Sequence, residues 1–460
     1  MSKYLLVDFG STYTKLTAVD TALGDVFATS SHFSTVDSDI AIGYEAALKD
    51  IQNQSEQPIR FDQIIACSSA AGGLKMAAIG LVEELTAEAA KRVCLGAGAR
   101  VDLVFSHHLT DREIRLIRDQ AIDIVLLAGG TDGGDSECVL YNAAKLGKSG
   151  IRIPIIYAGN KSAADEAEAI FASNRCDAYF CENVMPKINV LNIHSAREKI
   201  REIFLKRIIE AKGIKKIENQ IDRVLLPTPD AVLQAAELLS RGTLDEPGLG
   251  DLALIDIGGA TTDMYSLCNA AKRSDVIVRG LEEPYAKRTV EGDLGMRYSA
   301  PGIIKSLTKE EILKINRTHH VDLEKETSFR LEHVDYLPQD AEQEKVDQLL
   351  AELCATRAMS RHVGKIEEFY TPMGVFYNQT GKDMTGVNYC IGSGGVVIRS
   401  KNPRSILERI TSRHQLPTDL APQNPGYLLD ESYILSAMGL LAQQEPLLAL
   451  KIMKKRLTSV

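Results

Sequence analysis

The chain has no tryptophan, no run of eighteen or more apolar residues and no excess of basic charge. The missing tryptophan carries no functional information. The missing apolar run excludes a transmembrane helix. A net charge of −9 excludes a nucleic-acid binder, whose surface needs a basic face. Closely paired cysteines are also lacking. The eight cysteines (67, 94, 138, 176, 181, 268, 354 and 390) are scattered and lie mostly in apolar contexts, which predicts reduced, buried thiols. Cys176 and Cys181 have no second close pair beside them, so their spacing is not that of a zinc motif. Met1-Ser2-Lys3-Tyr4 runs straight into a strand pattern without signal-peptide features, and the expected location is cytoplasmic. No nucleotide-binding motif of the commonest kinds is present. Gly147-Lys148-Ser149 is the nearest approach to a P-loop, but Asn142 stands where its first glycine belongs.

What is present is a pair of aspartate-glycine turns, one in each half of the chain. The first is Asp8-Phe9-Gly10-Ser11-Thr12-Tyr13-Thr14-Lys15, and the second is Asp256-Ile257-Gly258-Gly259-Ala260-Thr261-Thr262-Asp263. Each follows a short apolar run, Tyr4 to Val7 or Leu252 to Ile255, that reads as a buried strand. Each then leads into a second apolar segment, giving a β-hairpin. Such a turn offers backbone N–H groups and hydroxyls to phosphate oxygens, with an acid placed to hold a metal ion. Gly10 lets backbone approach a phosphate, Ser11 and Thr12 donate hydroxyl bonds, and Lys15 adds a point charge. Gly258 and Gly259 leave bare backbone after a buried strand, with Thr261 and Thr262 beside them. Asp8 and Asp256 are the candidate catalytic and Mg²⁺-holding residues, Mg²⁺ being bound largely through water. Two such turns in separate halves predict a nucleotide clamped between two related lobes.

With 460 residues, 45% of them hydrophobic, the chain has room for about two to four domains. Residues 1 to 70 read as strands with one helix from Asp39 to Asn53. From 71 to 222, strand and helix patterns alternate. Strands are expected at Val101–Phe105, Asp123–Leu127, Ile153–Tyr157 and Ala178–Cys181, and helices at 81–95, 111–120, 135–146, 162–173 and 196–212. Capping boxes at Thr110/Glu113, Ser195/Glu198 and Ser162/Asp165 mark three helix starts. This alternation predicts a separate parallel α/β unit. Pro227-Thr228-Pro229 then punctuates, and a helix from 230 to 240 carries Ala231, Ala235 and Ala236 for close packing. Residues 303 to 365 read as largely helical, with a capping box at Thr308/Glu311. Strand patterns return at Gly374–Tyr377 and Tyr389–Ile391, and a last amphipathic helix is expected at 432–443. A third glycine segment, Ile391-Gly392-Ser393-Gly394-Gly395-Val396-Val397, follows a strand and offers flat backbone to an adenine or ribose.

The order of these parts is phosphate turn, helix, phosphate turn, adenosine-type glycines, closing helix. It resembles the actin, sugar-kinase and heat-shock-chaperone ATPase superfamily. That resemblance implies an α/β fold of two ribonuclease-H-like lobes hinged on two crossing helices, with a large parallel α/β domain inserted in the first lobe. The first lobe would be residues 1–70, completed by 223–248 and 430–460. The inserted domain would be 71–222. The second lobe would be 249–429, with a helical insertion at about 303–365.

Three further segments narrow the resemblance. They are Leu126-Leu127-Ala128-Gly129-Gly130-Thr131-Asp132-Gly133-Gly134-Asp135, Arg288-Thr289-Val290-Glu291-Gly292-Asp293-Leu294-Gly295-Met296-Arg297 and Pro227-Thr228-Pro229-Asp230-Ala231-Val232. Together they resemble the glutamate mutase accessory protein family, called MutL or GlmL and unrelated to mismatch repair, along the whole chain. The family implies a chaperone-like, reactivating ATPase that uses ATP and Mg²⁺. It would serve an adenosylcobalamin-dependent mutase, such as glutamate mutase or an aminomutase, by promoting exchange of damaged cobalamin for intact coenzyme. By the resemblance, Asp8, Gly10, Ser11, Thr12 and Lys15 meet the first phosphates. Asp256, Gly258, Gly259, Thr261 and Thr262 meet the second, and Gly392, Gly394 and Gly395 fall on adenosine. Two readings stand for Glu291 and Arg297, a nucleotide contact or a cap on the next helix. Two also stand for the Gly129–Asp135 loop, an anion or metal site or a tight strand-to-helix turn. A homodimer fits the same picture. The chain has no Asp-x-His-x-x-Gly run, so cobalamin is not expected to bind by a histidine-ligated route. Rival functions are a small-molecule kinase of the same superfamily and a non-catalytic, nucleotide-dependent scaffold.

Overall fold

The structure is a computed structural model that describes residues 2–10, 12–33, 40–55, 57–69, 74–211, 221–269, 276–372 and 374–460. Its frame is one strand order used twice. In the first sheet Lys3–Phe9, Tyr13–Asp20 and Asp25–Phe33 form an antiparallel meander. Gln63–Ser68 lies parallel to Lys3–Phe9 on the other side, and Arg223–Pro227 lies parallel beyond it. In the second sheet Leu252–Ile257, Thr262–Leu267 and Ala286–Glu291 form the meander, with Tyr389–Ser393 and then Gly426–Leu429 parallel to it. The shared order, with three antiparallel strands first and two parallel strands on the far side, makes these the two ribonuclease-H-like lobes of an actin-like fold. The chain ends on a two-residue strand, Thr458–Ser459, that extends the second sheet.

Burial alternates along the central strands, as period-2 geometry requires. Leu5, Val7 and Phe9 join a core shared with the inserted domain, while Tyr4 and Leu6 face the space between the lobes. Leu252 and Leu254 face that same space, and Ala253, Ile255 and Ile257 turn to the core of the second lobe. Two helices fill the space between the sheets, Thr228–Arg241 and Leu435–Leu441. The first opens with Pro229 in its first turn, where a missing N–H costs nothing.

A wholly parallel five-stranded sheet interrupts the first lobe between its fourth and fifth strands. Its order is Arg100–Ser106, Lys75–Gly80, Ile124–Leu127, Ile155–Tyr157, Ala178–Phe180. Lys75–Gly80, the strand at which the order reverses, is absent from the strands expected from sequence. Its sequence Lys-Met-Ala-Ala-Ile-Gly is buried without alternation, as a parallel strand covered on both faces is. Helices at Glu88–Gly96, Asp111–Asp119, Glu137–Lys148, Ala164–Ser173 and His194–Ala211 cover it. The capping boxes at Thr110/Glu113 and Thr308/Glu311 are formed. The other two are not. The helix His194–Ala211 already begins one residue before Ser195, and the Ser195 hydroxyl accepts the Glu182 N–H instead. Asn160, not Ser162, caps the turn before Ala164–Ser173, by accepting the Ser162 N–H.

The second lobe carries helices at Ala300–Lys305, Lys309–His319, Leu323–Glu332 and Ala341–His362 between its third and fourth strands. A hairpin, Lys365–Thr371 with Gly374–Thr380, follows and pairs with Val276–Arg279. Among the described residues no helix is long and apolar enough to cross a membrane.

Candidate nucleotide-binding site

Each glycine turn closes its hairpin with one backbone bond, Gly10 N–H to Tyr13 O at 3.1 Å and Gly258 N–H to Thr261 O at 2.9 Å. A Cβ at Gly10 would lie 2.6 Å from the Tyr13 oxygen, so this turn tolerates no side chain there. The register places Asp8 opposite Lys15 and Asp256 opposite Asp263. The two turns face one another, since a Cβ at Gly259 would come 3.6 Å from the Thr12 hydroxyl. Between them opens a cleft of about 1210 Å³, lined from both lobes and from the inserted domain. That volume holds a nucleoside triphosphate with room to spare.

Asp8 is buried and ties the two crossing helices together. Its Oδ1 accepts the Thr228 hydroxyl at 2.6 Å from the start of the first, and its Oδ2 accepts the Ser436 hydroxyl at 3.0 Å from the second. Lys15 Nζ stands 3.9 Å from Asp8 Oδ2 and 3.4 Å from the centroid of the Tyr433 ring, a cation–π contact. Tyr433 holds a left-handed backbone, φ 51°, a conformation uncommon for an aromatic residue.

Carboxylates crowd the floor of the cleft. Withdrawal from water pushes the Asp256 carboxyl up to about 7; Lys15 opposes this, while Asp263, Asp430 and Asp8 add to it. Asp430 is raised to about 6, again chiefly by burial, although it accepts the N–H groups of Ile434 and Leu435 at 3.0 and 3.2 Å. Half-buried Lys15 among several carboxylates leaves the floor of the cleft rich in negative charge, which favours a divalent cation such as Mg²⁺. Among the described residues no trio of His, Cys, Asp and Glu side chains forms a metal cage. Mg²⁺ in nucleotide sites uses one or two carboxylates plus phosphate and water, which Asp8 and Asp256 fit.

Asp8, Gly10, Thr12, Lys15, Asp256, Gly258, Gly259, Thr261 and Gly395 all reach the cleft. Ser11 lies outside the described residues. The other three candidates are set back and act as supports. Thr262 is buried and donates its hydroxyl to Leu294 O at 3.0 Å. Gly392 makes room for Val397 and Leu407. Gly394, at φ 95°, lies behind the second turn, where a Cβ would be 2.7 Å from Ile257 N and 2.8 Å from Asp256 Oδ1. Pattern reasoning missed Thr228, Asp430, Tyr433 and Ser436. Asp430, five residues before the first residue of the second crossing helix, had a legible signal as an acid shortly ahead of a helix start.

Glu291, Arg297 and the Gly129–Asp135 loop all have partners within the protein, and Arg297 also lines the cleft beside Gly259. Glu291 and Asp293 both bind Arg361, at 2.7 and 2.6 Å. Arg297 is spent on Asp347 at 3.0 Å and on the carbonyls of Tyr336 and Met296. The Gly129–Asp135 loop is closed from within. Asn160 donates to the carbonyls of Gly134 and Asp135 and accepts the Gly133 N–H, and Asn183 donates to Gly130 O and Asp132. That is a tight strand-to-helix turn. Cys176 and Cys181 are free thiols.

Fold and site together define a two-lobed, actin-like protein with a nucleotide-sized cleft at its hinge. The MutL protein family profile matches residues 4–457, and the chain belongs to that family. Protein MutL of Clostridium tetanomorphum is 51% identical over the full length of both chains. Among solved structures, the activator of 2-hydroxyisocaproyl-CoA dehydratase from Clostridium difficile, with bound ADPNP, is 10% identical, with coverage of 98% of this chain and 96% of that one and a TM-score of 0.32. Xylulose kinase from Lactobacillus acidophilus is 10% identical, with coverage of 100% and 93% and a TM-score of 0.37. The strand order, not these overlays, defines the fold.

Proposed function

We propose that this protein is a chaperone-like ATPase that reactivates an adenosylcobalamin-dependent mutase, glutamate mutase or an aminomutase, by promoting replacement of damaged cobalamin with intact coenzyme. The observation that carries the ATPase reading is the facing of the two glycine turns, Gly259 against Thr12, above Asp8, Lys15 and Asp256. Membership of the MutL family and the motifs it shares with the glutamate mutase accessory protein support the choice of partner.

In this reading the turns bind phosphate through backbone N–H groups and hydroxyls. Asp8 and Asp256 would hold Mg²⁺, which would supply neutralisation of phosphate charge. Asp256, in its ionised form, orients the attacking water. Because Asp8 bonds to both crossing helices, a change at the phosphates alters their relation and with it the closure of the lobes. ATP and ADP must bind the two closures with different affinity for this to do work on a partner.

The test is ATP hydrolysis by the purified protein, with and without a cobalamin-inactivated mutase from the same source. Return of mutase activity with ATP and fresh coenzyme, lost in Asp8→Ala, is the expected result. Turnover indifferent to the mutase and driven by a small metabolite would replace this reading with a kinase. No turnover would replace it with a scaffold.

A further inference from the structure

One short loop of the inserted domain touches the supports of both glycine turns. It is Leu95-Gly96-Ala97-Gly98-Ala99, at the end of the helix Glu88–Gly96. On one side, the buried Arg288 of the second lobe donates through Nη1 to the carbonyls of Leu95 and Ala99, at 3.0 and 3.1 Å. Its Nε and Nη2 hold Asp263 Oδ1 at 2.8 and 2.6 Å. Asp263 Oδ2 in turn accepts the Thr261 hydroxyl of the second turn at 3.2 Å, and Asp263 is the register partner of Asp256.

On the other side, Gly98 sits with φ 86° against Pro227, where a Cβ would lie 2.8 Å from the proline Cβ. The next residue, Thr228, holds Asp8 of the first turn. Gly96 lies beneath the Arg197 guanidinium, where a Cβ would be 2.7 Å from its Nε. Arg201, one helical turn on from Arg197, pairs with the buried Asp230 of the first crossing helix at 2.7 Å. Gly98 is held by its positive φ and by the proline ring, whereas Gly96 meets only the flexible tip of Arg197. Both Arg288 acceptors are main-chain carbonyls that move only with the loop.

We propose that the Leu95–Ala99 loop is the joint through which the state of the cleft is passed to the inserted domain, with Arg288 as its positioning residue. This rests on the nucleotide reading of the cleft. A shift of the second turn moves Asp263 and draws Arg288, which pulls the two carbonyls. A shift of the first turn moves Thr228 and presses Pro227 on Gly98. The inserted domain therefore responds to the separation of the two turns, the quantity a bound nucleotide sets. The physical content is a coupling free energy between cleft and domain.

The test is hydrogen exchange over residues 88–100 of the full-length protein, measured without nucleotide and with Mg²⁺–ATP or Mg²⁺–ADP. Ala97, Gly98 and Ala99 donate backbone bonds to the helix end, so their exchange reports its opening. In the wild type, exchange of these amides should differ between the ATP and ADP forms by about fivefold or more. Arg288→Lys keeps a charge for Asp263 but cannot span both carbonyls. Compared at nucleotide concentrations that saturate each protein, it should lose most of the exchange response. A response equal to wild type in Arg288→Lys would overturn the role of Arg288. Nucleotide binding without any exchange response in the wild type would overturn the joint, whether or not the variant folds. Failure of the wild type to bind nucleotide would overturn the cleft reading, and the proposal with it.

Discussion

Gly439 of the second crossing helix lies directly on the Ala231 carbonyl of the first, so close that a Cβ at position 439 would overlap its oxygen. The two helices touch backbone to backbone at this point, with Ala235, Ala236 and Leu440 packed around it. No rotamer relieves a methyl group placed there, so Gly439→Ala must separate the helices. Overpacking of this kind costs about 1–3 kcal/mol. The helices join the lobes and carry both hydroxyl partners of Asp8, so ATP turnover should fall along with stability. A urea-unfolding midpoint unchanged from wild type would mean the helices are not held at this crossing.

The raised carboxyls of Asp256 and Asp430 set a pH dependence of stability. An acid whose pKa is higher folded than unfolded keeps more protons in the native state. Stability is then greatest below its unfolded value and falls as pH rises through its folded value. For these two groups the window runs from the ordinary carboxylate value of 3.8 up to about 7 for Asp256 and about 6 for Asp430. The nucleotide-free protein should therefore lose stability as the pH rises from about 4 to about 7, and the slope should level off above that. Asp256→Asn and Asp430→Asn should each flatten the slope, and Mg²⁺–ATP should offset the loss. Because the carboxyls interact, the transition belongs to the cluster and not to one residue. Denaturant midpoints at a series of pH values decide this, and a slope unchanged in both variants would refute it.

Much of this arrangement is legible in the sequence because much of it is local. A buried strand, a glycine turn and a second strand are continuous in the chain, so the two hairpins stand out by pattern alone. The crossing helices show through Pro227-Thr228-Pro229 and the alanines at 231, 235 and 236. Gly392 and Gly394 look like ligand-facing glycines but are glycines because a side chain, a backbone or Asp256 lies against them. Sequence shows that a position must be bare, not what approaches it. Ser436 and Thr228 reach the floor of the cleft from segments that meet Asp8 only in the folded chain, so no local spacing records them. The same holds for Arg288, whose partners at Leu95 and Ala99 are backbone atoms of another domain.

The inserted domain is fastened to the first crossing helix by charge. Asp230 is buried at that helix's start and pairs with Arg201 from the helix His194–Ala211, with Gln234 as a second donor. Asp230→Ala removes the acceptor and leaves the arginine unpaired at a largely closed joint. Breaking such a pair costs about 3 kcal/mol. Replacing Arg201 with methionine together with Asp230→Ala should recover part of that loss, because the Arg201 charge goes with its partner and only Arg197 remains beside the vacated position. Thermal unfolding of the single and double variants checks this. A double variant no more stable than the sum of the two single losses would show that the residues do not act as a pair.

Lys15 stands beside Asp8 and opposes the upward push on Asp256, and its removal separates its two roles. It helps hold phosphate in the proposed site, and it holds down the Asp256 carboxyl against burial and three acidic neighbours. Lys15→Met keeps much of the side-chain volume over the Tyr433 ring while deleting the charge. If ionised Asp256 orients the attacking water, turnover at pH 7 should fall for both reasons, by about a hundredfold, the usual loss for one preorganised electrostatic group. The distinguishing observation is the pH profile. Wild-type hydrolysis should rise with pH as Asp256 ionises, and in Lys15→Met the same rise should come at higher pH. Lys15→Arg, which keeps the charge, should leave the profile near its wild-type position even where the rate suffers. A uniform loss of rate at every pH in Lys15→Met would limit the lysine to phosphate binding and leave its control of Asp256 without support.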